Sequence, residues 1–178
     1  MKKALISVAL AMALLVAAVT GAPAFASEEY DWAYPENIHA FMFRLGIACK
    51  AAEIEIPYDP IVWVDGDSGY LVLTVGDLAL AAMYDLKTQQ LMSLLFPLGS
   101  GSDDARYLIL AALFEKAAVT IGSAMTKDIF LRLGETVYTH ALAGIMEGMM
   151  DFDIGAYSFG VQLTGDDDDH LNMIIRAN

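Results

Sequence analysis

The chain has 178 residues, a formal net charge of −13 at pH 7, 57% hydrophobic residues and a single cysteine. The negative charge argues against a nucleic-acid partner, because phosphates repel an acidic surface. The hydrophobic share is too high for a disordered chain, and one cysteine excludes an intramolecular disulfide. Length and composition therefore predict one acidic globular domain with a sizeable core.

The first 26 residues have the order of a secretory signal peptide. Two lysines precede an apolar run over residues 4–19, and Ala24-Phe25-Ala26 then forms a small-x-small cleavage site. We predict cleavage near Ala26 and a single domain over residues 27–178, secreted or periplasmic in a bacterium. No later apolar run reaches the ~20 residues that span a bilayer, so we expect no stable membrane insertion of the mature chain.

The first half of the predicted domain begins with a helix over residues 35–52, where apolar residues recur at helical spacing. Strands over 61–64 and 70–75 follow, joined by a tight turn rich in aspartate and glycine. Residues 78–96 are ambiguous between a helix and a hairpin. We favour the hairpin, because polar residues would otherwise lie on every side of the helix, and this gives a four-stranded meander.

The second half contains two predicted helices and a hairpin. A helix capped by Ser102 is apolar at nearly every position from Tyr107 to Ile121, which is typical of a buried helix. Residues 126–150 form another helix that Gly134 bends or divides. Strict alternation then predicts two strands, from Tyr157 and from Leu171. The predicted fold is α+β with two layers: a meander and a C-terminal hairpin in one antiparallel sheet, packed against about three helices.

The acidic turns are the candidate metal sites. Asp65 and Asp67 in the first turn, and Asp166 and Asp168 in the last, offer carboxylates that could bind calcium. The twelfth position of an EF-hand loop counted from Asp65 is a glycine, so that motif fails. The alternative is that these aspartates only serve the turns, whose dihedral angles they tolerate.

No catalytic or cofactor-binding residue can be assigned from the sequence. The three histidines are not spaced as metal ligands, and no nucleophile or phosphate-binding motif is present. Cys49 lies in an apolar helical pattern, which favours a small core residue over an intermolecular disulfide. We therefore predict no cofactor.

The leading functional hypothesis is a non-enzymatic extracytoplasmic module that binds a protein or a small ligand. The apolar surface of its strands is larger than one layer of helices can cover, which also favours a homodimer. One alternative is a small secreted hydrolase that uses an Asp/Glu pair. The other is a calcium-dependent structural or adhesion module.

Overall fold

The computed structural model describes residues 37–56, 60–115, 126–146, 151–164 and 170–178, all of them in one compact unit. These ranges contain three helices and seven strands in the following order: α1 (Ile38–Ala51), β1 (Ile61–Asp65), β2 (Ser68–Val75), β3 (Leu78–Asp85), β4 (Leu91–Pro97), α2 (Asp103–Phe114), α3 (Lys127–Met146), β5 (Asp151–Ile154), β6 (Tyr157–Thr164) and β7 (His170–Ala177).

All seven strands belong to one antiparallel sheet in the order β1-β2-β3-β4-β7-β6-β5. The predicted α+β class, the four-stranded meander and the C-terminal hairpin are confirmed. The hairpin joins the meander where β7 pairs with β4. β5 was not predicted, because Asp151 and Asp153 indicated a loop. In the structure they pair with Gly160 and Ser158 of β6 at the outer edge of the sheet.

Residues 78–96 form the predicted hairpin rather than a helix. Asp85 organises its turn, because its Oδ1 accepts hydrogen bonds from the backbone N–H groups of Lys87 (2.9 Å) and Thr88 (2.6 Å) and from the Thr88 hydroxyl (2.9 Å). These bonds lower the pKa of Asp85, those from Thr88 contributing most. The same turn anchors α1, since the backbone N–H of Ile38 donates to the Gln89 carbonyl oxygen at 2.8 Å.

Three other hairpins close with two-residue turns that begin with glycine. Gly66, Gly76 and Gly155 have φ of 58°, 60° and 60°, and each is the first of the two turn residues. A positive φ at this position gives the turn a twist that matches the right-handed twist of the flanking strands. The register of β1 to β3 and of β5 and β6 is therefore fixed by local turn chemistry.

The helix ends differ from the predicted ones. Asn37 caps α1, where its side-chain oxygen accepts from two backbone N–H groups, so the helix begins at Ile38; residue 35, the predicted start, lies outside the described residues. Ser102 caps α2 as predicted. This helix ends at Phe114, before the predicted Ile121, because Glu115 leaves the helical conformation with ψ of 82°. Residues 116–125 lie outside the described ranges.

The core lies between one face of the sheet and the three helices. Leu73, Leu80, Leu94, Ile175 and Phe159 are buried on this face, one from each of five adjacent strands. Residues 108–114 of α2 are all buried, because α1 and α3 both pack against this helix. The alternation along each strand thus sets one face of the sheet against the helices.

Two buried arginines donate hydrogen bonds to backbone carbonyl groups around α2. Arg44 of α1 donates from Nε to the carbonyl oxygen of Ala112 at 2.7 Å, in the last turn of α2, where the carbonyls have no partner within the helix. Arg106 pairs with Asp103 at 2.6 Å. Its Nε and Nη2 also donate to three carbonyl oxygens at the end of β4 and in the loop that leads into α2, those of residues 97, 98 and 100.

Gly134 is the contact point of α2 and α3. A Cβ atom at this position would lie 1.9 Å from the carbonyl oxygen of Tyr107, which is a backbone atom and cannot rotate away. The sequence predicted that Gly134 would bend or divide the helix. Instead, α3 continues through it from Lys127 to Met146, and the glycine allows close approach of α2.

We predict that Gly134→Ala destabilises the protein by about 2 kcal/mol, because the added methyl group forces α2 and α3 apart. The free energy of unfolding from urea titration measures this change. Gly46→Ala is the matched control, since a Cβ at Gly46 of α1 meets no atom within 4 Å. That substitution should stabilise the protein by up to about 1 kcal/mol through helix propensity. Equal effects of the two substitutions would contradict the close contact.

Asp77 connects the turn between β2 and β3 to the start of α2. Its Oδ1 accepts a hydrogen bond from the backbone N–H of Ser102 at 2.9 Å. The backbone and hydroxyl of Ser102 lower the pKa of Asp77. A carboxyl whose pKa is lower in the folded state contributes stability above its unfolded pKa of about 4 and loses that contribution as the pH falls through the folded value.

We expect Asp77→Asn to lower the free energy of unfolding at pH 7, and the difference from the wild type to shrink below about pH 4. The asparagine retains an acceptor oxygen, so the difference reports the charge. Urea titrations of both proteins between pH 7 and pH 3 measure it. Parallel stability curves over this range would show that the carboxylate does not act through its charge.

Candidate interaction surface

β1 is an exposed apolar strand at one edge of the sheet. Ile61, Val62, Trp63 and Val64 are 66%, 54%, 46% and 60% exposed, although side chains of this kind are usually buried. Among the described residues β1 pairs only with β2, so its other side has no partner strand. A strand of this kind is a template for pairing with another chain.

The exposure of β1 follows from the width of the helix layer. In β2, Leu71 and Leu73 are buried on the face that the helices cover. Val62 pairs with Leu71 and points to the same face, yet it remains exposed. The helix layer therefore covers β2 and stops short of β1. As a result, β1 presents apolar side chains on both faces of the sheet.

Trp63 is held in place by a stacked aromatic ring. It pairs with Tyr70 of β2, and the two ring planes are 4° apart with centroids 5.2 Å apart. Trp63 is 46% exposed on the face away from the helices, and the stack orders its ring before any partner binds.

The backbone of β1 also has groups directed out of the sheet. In a hairpin with a two-residue turn, the flanking pair exchanges two hydrogen bonds, and such pairs alternate along the ladder. The flanking pair here is Asp65 and Ser68, so Trp63 and Ile61 also bond to β2. The N–H and C=O groups of Val62 and Val64 consequently point away from β2.

The opposite edge of the sheet is protected by charge. β5 carries the exposed Asp153, and an edge charge of this kind discourages strand pairing. Ser158 of β6 donates a hydrogen bond to the Asp153 carboxylate. By contrast, Ile61–Val64 contains no charge, and Asp65 is the only ionisable residue of β1. The two edges therefore differ in their capacity to accept another strand.

The predicted calcium residues are only partly described. Asp65 ends β1 and Asp67 occupies the following turn, where the Asp67 carbonyl oxygen accepts from the backbone N–H of Leu86 at 2.9 Å. Asp166 and Asp168 lie outside the described residues. Within the described ranges, no three His, Cys, Asp or Glu side chains gather as a metal site would require. Calcium binding by these aspartates therefore stays a prediction.

The histidines and the cysteine lie in separate places. His39 and Gln89 are within hydrogen-bond distance (3.1 Å), whereas the His140 ring contacts Phe152 edge-on. Cys49 is buried in α1, and its burial raises the pKa of the thiol to about 12. A thiol that is this inaccessible fits the core position predicted for Cys49 and is a poor nucleophile.

A second candidate surface is a groove of about 330 Å³ beside α2 and α3. Its lining is mainly polar and consists of Asp104, Tyr107, Asp128, Leu131, Arg132 and Glu135. Burial is the largest cause of a raised pKa of Tyr107, and the negative charges of Asp103 and Glu135 raise this pKa further. Because Asp128, Arg132 and Glu135 are exposed, the groove is open to water, unlike the enclosed sites that bind small molecules. The hydrolase alternative stays a prediction.

Sequence reasoning identified β1 as a strand and missed its exposure. The pattern Ile-Val-Trp-Val is equally typical of a buried central strand. One signal was available, since Asp65-Gly66 and the preceding Pro60 confine the strand to five residues, and short strands are common at edges.

Comparisons of the chain with protein-family models, with curated proteins and with solved structures gave no match. None of the described helices combines the length and the apolar character that crossing a bilayer requires. The function must therefore be argued from the surface of the molecule itself.

Proposed function

We propose that the protein is a non-enzymatic extracytoplasmic binding module that adds an extended segment of a protein to the β1 edge of its sheet. The observation that carries this proposal is the exposure of four consecutive apolar residues, Ile61–Val64, on an edge strand. In strand addition, backbone hydrogen bonds provide affinity and alternate side chains provide specificity. β1 offers both.

The backbone contribution comes from Val62 and Val64. Their N–H and C=O groups face outward and are spaced for an antiparallel or parallel partner strand. The side chains contribute on two faces. Ile61 and Trp63 lie on the face away from the helices, whereas Val62 and Val64 lie on the helix face beyond the end of the helix layer. An incoming strand would thus contact apolar groups on both of its faces.

Pre-organisation strengthens the argument for binding. β1 is already held in an extended conformation by five paired residues, and Trp63 is already stacked on Tyr70. Ordering a flexible side chain costs about 0.5–1.5 kcal/mol on association, and this cost is reduced where the side chain is fixed beforehand. A polypeptide partner suits this flat edge better than a small molecule, which requires a concave site.

We expect a random peptide library displayed on phage to yield peptides that bind the purified protein through β1. Val64→Pro should weaken the binding of a selected synthetic peptide about fivefold, because proline removes an outward N–H and one hydrogen bond worth ~1 kcal/mol. This N–H takes no part in the ladder with β2, so the fold should persist. Isothermal titration calorimetry measures the affinity, and circular dichroism checks the fold.

Val64→Thr is the matched control, since threonine keeps both the N–H and the β-branched shape. It should bind the peptide with nearly unchanged affinity. The proposal is wrong if no peptide is enriched, or if Val64→Pro and Val64→Thr bind equally well.

Export forms part of the proposal and is supported by the residues of the N-terminal segment. Two lysines, an apolar run and Ala24-Phe25-Ala26 are in the order that a signal peptidase recognises. We expect intact-mass analysis of the natively produced protein to give a chain that begins at Ser27. A mass that includes Met1 through Ala26 would overturn the extracytoplasmic assignment.

A further inference from the structure

We infer that the segment added to the β1 edge is the β1 strand of a second copy of this chain, paired antiparallel about a two-fold axis at Trp63. The inference rests on the proposed function, because it names the partner for the same edge. Two-fold dimers bring the same surface of each copy together, so the surface must be complementary to itself. The backbone, side chains and charges of β1 each meet this condition.

The backbone fixes the register of the pair. Hydrogen-bonded pairs can form only between residues whose polar groups face outward, which are Val62 and Val64. With the axis at Trp63, each Val62 faces the Val64 of the other copy, and all five residues of β1 are paired. An axis at Val62 would set Val64 opposite Pro60, which has no N–H. An axis at Val64 would set Val62 opposite Gly66 in the turn.

The side chains also match in this register. The two Trp63 residues face each other at a non-hydrogen-bonded position, where cross-strand side chains approach most closely. Each indole is already stacked on its own Tyr70, so four aromatic rings would form one row on the face away from the helices. Facing residues of an antiparallel pair lie on the same face, so the helix layers of both copies lie together on the other side.

Charge explains why two acidic chains can meet at this edge. The full 178-residue chain has a net charge of −13, yet Ile61–Val64 carries no charge. In this register, Asp65 faces Ile61 of the other copy, and the two Asp65 residues are four strand positions apart, about 13 Å. This separation exceeds the Debye length of ~8 Å at physiological ionic strength. An axis at Asp65 would instead place the carboxylates directly opposite each other.

The contact is small, and this sets the expected affinity. A five-residue strand spans about 17 Å, so the pair alone provides less than the ~800 Å² per partner of a stable complex. We therefore expect a dimer that dissociates in the micromolar range. Salt should strengthen it, because the remaining repulsion between two acidic bodies is screened while the apolar contact is not.

Sedimentation equilibrium of the wild type, Val64→Pro and Val64→Thr tests the dimer. We expect the wild type and Val64→Thr to dimerise at about 10–100 μM, and the association constant to rise severalfold from ~20 mM to ~500 mM NaCl. Val64→Pro should weaken dimerisation at least about tenfold. A monomer at every concentration, or a dimer that Val64→Pro leaves intact, would overturn the inference.

Cysteine cross-linking tests the register. Cys49 is 1% exposed, so a cysteine introduced on β1 is the accessible thiol. Oxidation should join two copies of Trp63→Cys through a disulfide. It should not join two copies of Ile61→Cys, whose Cα atoms are further apart than the ~7 Å that a disulfide tolerates. Cross-linking of Ile61→Cys in preference to Trp63→Cys would rule out an axis at Trp63.

Peptide binding and dimerisation together distinguish a failure of the proposed function from a failure of the dimer. A monomeric protein that binds phage-derived peptides through the Val64 N–H would retain the proposed function and lose the second copy as its partner. A protein that neither binds such peptides nor dimerises would lose both. Peptide binding, together with a dimer that is sensitive to Val64→Pro and forms a disulfide at position 63, would support both.

Discussion

The burial of α2 on nearly every side is the constraint on which the rest of the structure depends. Its residues 108–114 are apolar and inaccessible, so neighbours must surround the helix. The sheet lies against one side, and α1 and α3 pack against the others. The approach of α3 is close enough that only glycine fits at Gly134. A layer built around one buried helix has a limited width, and the sheet extends beyond it at β1.

Because α2 is buried, the polar backbone groups at its ends need hydrogen-bond partners within the protein. The chain contains only ten lysines and arginines, and it places two of them, Arg44 and Arg106, in the interior around this helix. Arg44 reaches a carbonyl of the final turn, where a positive charge is also favourable to the helix dipole. Arg106 holds the entry loop through three carbonyl oxygens. This acidic protein thus uses two of its few basic side chains to bind backbone carbonyl groups around α2.

Much of the fold could be predicted because its signals are local. The strict alternation from Tyr157 and the scattered polar residues over 78–96 each indicated strands, and both indications are confirmed. β5 was missed because its pairing with β6, rather than its own acidic sequence, makes it a strand. The end of α2 at Phe114 was missed because the apolar run continues past it. Helix propensity and apolar content do not indicate at which residue of such a run the helix ends.

The candidate surface was harder to predict than the fold. The turn containing Asp65 and Asp67 follows from turn chemistry, and its aspartates drew attention as ligands. The exposure of the neighbouring strand depends on how far a helix layer extends, which is a property of packing between distant segments. Arg44 and Arg106 were missed for the same reason. Arg44 is a single cation in an apolar run and Arg106 closely follows two aspartates, and the acceptor carbonyls of both are identifiable only in three dimensions.

The pairing of β4 with β7 determines when the sheet can be completed. Phe96 of β4 lies opposite Met173 of β7, so β7 joins the meander to β6 and β5 at the centre of the sheet. Until β7 has been synthesised, the meander has β4 as an additional open edge. Loss of β7 would leave that edge open and divide the seven-stranded sheet at its middle.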